Sequence, residues 1–322
     1  MEGEAGLAAF LARRRKERES EPEESRTDWW AYEARLYRSF WNEVYGPDCG
    51  SYEDTTTIPP MCFTDRGCTY ANAQPTLQIF SVKVDEILGG LQWPLDVYGV
   101  VAVRDVVDHN RNVIFHRSLP AANWPYPPHP TYFEAELKVK GATQSEDREF
   151  SFLAADYTSC GPSRSCVIDL VKTSRLSTPK FTFGHIVNAV EATIDVKVIS
   201  GRWPRGYRGV FTAKTSSIDY MDVVLLAFED GELPMDDDGK VKLSRPVVCV
   251  ELVLPTTKPK KSKLTISARG LHADEENDNL VGSLEFTPQK NRRTKRIFEV
   301  GSCRMHVTVA WSLLATFKEF CE

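Results

Sequence analysis

The chain has 322 residues and a formal net charge of −5. Hydrophobic residues make up 42% and charged residues 26%, the balance of a folded globular chain, which excludes wholesale disorder. No run of about 18 apolar residues occurs, which excludes a membrane-spanning helix.

Residues 1–26 carry seven Glu against six Arg and Lys, with almost no aromatic or β-branched residue, and are expected to form a disordered charged tail. Its apolar stretch Leu7–Ala12 is short and precedes Arg13–Lys16, the reverse of a secretion signal. The eight cysteines are too sparse for a disulfide scaffold, and no Asn-x-Ser/Thr occurs. A cytoplasmic or nuclear protein that is not secreted is expected. Cys62/Cys68 and Cys160/Cys166 have five residues between them, outside zinc-knuckle spacing, so no metal and no cofactor is expected.

From residue 27 the composition changes. Trp30, Ala34, Tyr37 and Trp41 recur at helical spacing, Thr27 or Asp28 can cap the start, and Gly46–Pro47 stops the run. The spacing predicts an amphipathic helix over 27–45. Its aromatic face either docks on its own domain or, through Trp30, Tyr37 and Trp41, receives a partner. Residues 46–75 read as a connector with four prolines, and a β domain is expected over 76–316.

In that domain short β-branched and aromatic runs alternate with turns, from Leu77–Ile87 and Val97–Val107 through Ile186–Ile199 to a final run over Arg296–Leu314. Helical periodicity is absent, which excludes alternating strand–helix folds. An internal repeat of about 110 residues stands out. Val82-Lys83-Val84 leads to Trp93-Pro94 and Gly99-Val100; Val196-Lys197-Val198 leads to Trp203-Pro204 and Gly209-Val210. Further on, Ala135-Glu136-Leu137 matches Val250-Glu251-Leu252, Phe150-Ser151-Phe152 matches Thr265-Ile266-Ser267, and Ala192–Val196 matches Met305–Val309. The expected fold is mainly β, a sandwich or barrel of two related halves (about 76–199 and 186–316) that share a central strand. Trp93 and Trp203 are each expected to pack over a half-core, with Pro94 and Pro204 setting the turn. Gly99 and Gly209 are expected to mark a bulge or a close backbone approach.

The stretch from Leu77 to Gly99, with Gly89-Gly90-Leu91-Gln92-Trp93-Pro94 at its centre, resembles the grass (monocot) family known as domain of unknown function 6598. Further likeness runs through Gly184–Ile194, Gly209–Asp219, Lys242-Leu243-Ser244-Arg245 and Gly301–Ser312, and covers about 76–315. Some members are similar to the C-terminal part of jasmonate-induced plant proteins that carry a ribosome-inactivating glycosidase. The resemblance implies a stress or defence setting and transfers no activity, because the first 75 residues are too few for a glycosidase.

No phosphate-binding glycine loop, nucleophile elbow or paired-histidine metal helix is found. Asp236-Asp237-Asp238-Gly239 fails the calcium-loop pattern, because Pro234 and Arg245 fall at ligand positions. With Asp230 it leaves a looser calcium edge to weigh against an acidic solvated hairpin. Lys258, Lys260, Lys261 and Lys263 form one basic loop, and Arg292, Arg293, Lys295 and Arg296 another. If the loops share an edge, they suit phosphate contact. The leading expectation is a non-catalytic accessory domain that binds a protein partner. The alternative is an RNA- or ribosome-associated protein acting through the basic loops, and a second alternative is an uncharacterised hydrolase. No membrane partner is expected.

Overall fold

The computed structural model describes residues 28–57, 71–105, 108–115, 124–125, 131–158, 164–229, 232–252, 262–272 and 279–315. The expected tail over 1–26, Lys258, Lys260, Lys261 and Asp230 lie outside the described residues. The elements are α1 (Trp29–Val44), α2 (Gly46–Cys49), β1 (Ala71–Asn72), β2 (Gln74–Ile87), β3 (Val97–Arg104), β4 (Asn112–Phe115), β5 (Trp124–Pro125), β6 (Thr131–Val139), β7 (Arg148–Tyr157), β8 (Cys166–Val171), β9 (Ser177–Ser200), β10 (Tyr207–Thr215), β11 (Ile218–Phe228), β12 (Val247–Glu251), β13 (Leu264–His272), β14 (Asn279–Phe286), β15 (Arg292–Val300), β16 (Cys303–Ser312) and β17 (Leu314–Ala315).

Three antiparallel sheets carry the architecture. Two have four strands, ordered β4-β3-β6-β7 and β11-β10-β13-β14. The third runs β15-β16-β9-β2-β5, with β8 and β12 also pairing with β9. The two halves repeat one wiring. β10, β11, β13 and β14 take the places of β3, β4, β6 and β7. The C-terminal part of β9 pairs with β16 as β2 pairs with the N-terminal part of β9, and β15 flanks β16 as β8 flanks β9. Even a local irregularity is repeated: the register slips between Val101 and Ala102 in one half and between Phe211 and Thr212 at the matching place in the other.

The wiring corrects three of the sequence matches, among them Phe150–Phe152 with Thr265–Ser267, because β7 has its counterpart in β14 and not in β13. Gly99 pairs with Leu137 on β6, and Gly209 with Gly270 on β13, so β13 rather than β12 is the counterpart of β6. β12 is an insertion laid beside β9. Val307 pairs with Val196 as Phe181 pairs with Val82, so β16 corresponds to the start of β9, not to Ala192–Val196. β-branched strands resemble one another in composition, and only pairing fixes which is equivalent. The run expected over Arg296–Leu314 is also not one strand: β15 and β16 form a hairpin that turns at Gly301–Ser302.

Each half is a sandwich with its own core. Leu77, Ile79, Phe181 and Phe183 meet Val101, Phe133 and Phe150 in the first; Ile194, Val196, Val307 and Phe298 meet Phe211, Leu225, Ile266 and Phe286 in the second. Each such side chain contributes about 1.5–3 kcal/mol on burial. β9 is long enough to serve both. Its core-facing positions change from odd (Phe181, Phe183) to even (Val190, Ala192, Ile194, Val196) across Asn188, where φ is 49° and the pairing with β2 skips a residue. Asn tolerates this left-handed conformation better than most residues.

Helix α1 adds a third layer on the first half alone, against β7 and the outer face of its sheet. Asp28 is the cap: its Oδ1 accepts from Ala31 N at 3.0 Å. Tyr37 stacks on Tyr132 at 3.7 Å, and Trp41 Nε1 donates to His109 O at 2.8 Å. Trp30 packs on the first core, with the Lys172 ammonium 4.0 Å from its ring centre. Tyr37 and Trp41 are thereby buried and closed to a partner, which corrects the partner-helix reading. Among the described residues no helix covers the matching face of the second half. Where the first sheet presents Tyr132, Glu134, Phe152 and Ala154, the second presents Thr265, Ser267, Val281 and Ser283 at equivalent register positions.

Candidate functional site

The densest polar constellation lies between α1 and the first four-stranded sheet. Arg104 ends β3, and Glu134 and Glu136 point from β6 toward the same covered face. Arg104 Nε and Tyr52 Oη both donate to Glu134 Oε1, the latter at 2.7 Å. Arg111 Nε donates to Glu134 Oε2 at 2.9 Å, and its Nη2 donates to Glu136. Arg104 also donates to the carbonyls of His109 and Tyr52, and its guanidinium lies 4.0 Å from the Tyr52 ring centre and 5.0 Å from that of Trp41. Burial, then the neighbouring Glu134 carboxylate, holds the Tyr52 phenol well above its usual range. Glu134 thus accepts three charged or polar donors at once. Its work is to fasten Tyr52 and the end of α1 to the sheet.

None of these residues stands out as a site in the sequence. Arg104 and Glu134 sit at positions that strand alternation assigns to solvent, and α1 together with Tyr52 and His109 covers them. A signal existed: Glu134 and Glu136 flank Ala135 in a run otherwise rich in core residues.

The basic residues take an unexpected form. Arg292, Arg293, Lys295 and Arg296 do not sit in a loop but open β15, an edge strand, and all four are exposed. Strand alternation divides them. Lys295 pairs in register with Thr308, and Thr308 with Asp195; Ile297 pairs with His306, and His306 with Lys197. Arg293 and Lys295 therefore share one sheet face with His306, Lys197 and Lys240. On that face Lys240 pairs with Asp195 at 3.1 Å and Lys197 with Asp238 at 3.4 Å. Arg296 projects the other way, its guanidinium 5.5 Å from the Phe286 ring centre. Lys263 pairs with Glu285 at 2.7 Å. Phe286 is a core residue and Glu285, its strand neighbour, points to solvent, so these contacts do not bring Arg296 and Lys263 together.

Acidic residues are also committed. Asp236 pairs with Lys242 at 3.0 Å, and the backbone N–H of Lys240 together with the Lys197 ammonium lowers the Asp238 carboxyl below its usual range. A calcium edge here would compete with three lysines, and among the described residues no cluster of three metal-ligating side chains occurs. Cys249 is buried, which pushes its thiol well up, away from the reactive thiolate.

The two tryptophans of the repeat part ways. Trp203 packs on Phe211 and Phe228, as expected. Trp93 is 59% exposed, contrary to its expected packing over the first half-core. Pro94 and Pro204 follow them in the turns into β3 and β10. Both glycines mark close approaches: a Cβ on Gly99 would lie 2.1 Å from Glu136 O, and one on Gly209 2.1 Å from the Phe228 ring. An open cleft on the first half is lined by Asp28, Arg148, Glu149, Arg175 and Leu176.

Comparison with known proteins bears on the family. No curated protein matches the chain. Among solved structures, the two C2 domains of Extended-Synaptotagmin 2 align over 80% of this chain and 99% of that one, at 11% identity and a TM-score of 0.24. Human GIVD cytosolic phospholipase A2 aligns over 74% of this chain and 33% of that one, at 8% identity and a TM-score of 0.23. At these scores the likeness adds nothing to the architecture above. The family described as Domain of unknown function (DUF6598) matches residues 76–119 and 128–309, most of the two-sandwich body, and the chain belongs to that family.

Proposed function

We propose that this chain is a non-catalytic interaction module of a grass protein engaged in stress or defence, and that its contact surface is the basic edge of β15 and the sheet face behind it. The observation that carries this is the exposure of Arg292, Arg293, Lys295 and Arg296 in succession on one strand, with Lys197, Lys240 and His306 on the neighbouring strands. On the face behind it Lys197 and Lys240 are offset by Asp238 and Asp195, so the excess positive charge lies along the β15 edge, where it suits a phosphate backbone. An RNA-type polyanion fits it better than a protein groove would. The buried charges around Glu134 support a scaffold role, since each is engaged in holding layers together. The stress or defence setting rests on the resemblance to jasmonate-induced plant proteins and carries no mechanism.

Filter binding of the full chain to a ribosomal RNA fragment over a salt series tests the reading. Affinity should fall as salt rises, and the double change Arg293→Gln, Lys295→Gln should lower the slope of log affinity against log salt by about 0.7–0.9 for each phosphate contact removed. No measurable affinity at low salt, or a slope indifferent to these changes, rejects it.

A further inference from the structure

Among the described residues the buried arginines are Arg104, Arg111 and Arg245. Arg104 and Arg111 share the Glu134 carboxylate. Arg245 pairs with no described carboxylate. The acidic group that acts on it is the Cys249 thiol, and burial keeps that thiol protonated. Burial also lowers the Arg245 guanidinium to about 10, which leaves it charged at neutral pH. Its Nε is sealed from solvent and has no acceptor.

The side chain lies at the seam between the two sandwiches. Arg245 N donates to Leu225 O on β11 at 3.0 Å, and its Nη2 donates to Ile79 O on β2. Gln78, fully buried, donates Nε2 to the same carbonyl at 3.2 Å and accepts from Cys249 N at 2.9 Å. Phe80 packs on the second core and on the cluster that holds Ile218 and Cys249. The repeat explains why one half alone carries this feature. Arg245 leads into β12, the strand without a counterpart in the first half.

A buried guanidinium with no carboxylate beside it is destabilised, and a negative group that entered the seam would relieve that cost. The Nε and Nη2 edge of a guanidinium matches two oxygens of a carboxylate or a phosphate. Arg245 keeps 9% of its surface exposed, so it can be approached from solvent. The seam is closely packed: a Cβ on Gly184 would lie 2.7 Å from Ile218 and 3.0 Å from Phe80, which restricts an occupant to a compact group. Ligand sites favour such junctions between packed units. We propose that Arg245 anchors a site for a small oxyanion, a carboxylate or phosphate group, at the seam between the sandwiches. The site is separate from the exposed charges of β15 and stands or falls independently of them.

Thermal melts of the full chain in sodium phosphate and in sodium acetate, against sodium chloride at equal ionic strength, test the proposal. At least one of the two oxyanions should raise the melting temperature by about 2–4 °C on saturation at about millimolar concentration. Arg245→Met should remove that rise. Arg245→Lys, which keeps the charge without the fork, should weaken the apparent affinity at least about tenfold. The double change Arg293→Gln, Lys295→Gln should leave the rise intact. In the wild-type chain labelled with 15N-arginine, the Nε–H signal that Arg245→Lys lacks should shift over the same titration, a readout that does not depend on the folding of Arg245→Met. A rise matched by chloride, a rise that survives Arg245→Met, or an Arg245 Nε–H signal that stays in place overturns the proposal. Loss of the rise in the β15 variant also overturns it, by assigning the effect to the basic edge.

Discussion

Arg104 and Glu134 form an ion pair in which both side chains are 1% exposed, and the pair joins three layers of the chain that are far apart in sequence. Arg104 reaches the carbonyls of Tyr52 and His109, Glu134 takes a proton donor from Tyr52 and a second guanidinium from Arg111, and α1 lies over both. In a dry site such a pair is costly to break from one side and much less costly to replace whole.

That asymmetry gives a direct test. Glu134→Gln keeps the volume and leaves the Arg104 guanidinium without its carboxylate. A loss of about 3–5 kcal/mol is expected by urea unfolding. The double change Arg104→Met, Glu134→Leu should cost clearly less than the single change. If the double change costs the sum of two singles, the pair is not a coupled unit.

Trp41→Ala removes the side chain that fills the space between α1 and Tyr52. Trp41 is fully buried, its ring meets Tyr52 edge-on at 5.4 Å, and its Nε1 bond to His109 O disappears with it. A loss of about 3–5 kcal/mol is expected. Protease should then cut within 29–57 before it cuts the sandwiches, because the layer is added to one outer face and does not close either core.

The two repeat glycines should respond differently to alanine. At Gly99 the new methyl would meet Glu136 O, a backbone atom fixed by the β3–β6 ladder, and φ there is 132°. At Gly209 the obstacle is the Phe228 ring, which can move, and φ is not positive. Gly99→Ala should lower the melting temperature more than Gly209→Ala. The reverse order in a thermal melt would mean that the β3 ladder yields more easily than the Phe228 side chain.

The fold was largely readable from alternation and from the Trp-Pro and Gly-Val pairs, because a period of two reports faces and a repeat reports halves. The cap at Asp28 and the end of α1 near Gly46 followed from local chemistry alone. What escaped depends on contacts between distant segments. Glu134 reads as a solvated strand residue until α1 covers it. Arg292–Arg296 reads as a loop because charge hides its strand period. The exposure of Trp93 follows from loop length and the inward turn of Leu91 and Leu95, neither of which a motif match records.

His185 supplies the pH test. It lies on β9, is almost fully buried, and faces Tyr157 Oη at 3.4 Å. Burial lowers its folded value below the ordinary 6.5. Above 6.5 the ring is neutral in both folded and unfolded chains, and the stability it allows is fully present. As pH falls through 6.5 the unfolded chain takes up a proton that the folded chain resists, so stability drops until the lower folded value is reached. The wild-type chain should therefore melt at a lower temperature at about pH 5 than at about pH 7.5, and His185→Gln should shrink that difference. A difference of the same size in the variant would assign the acid sensitivity to other groups.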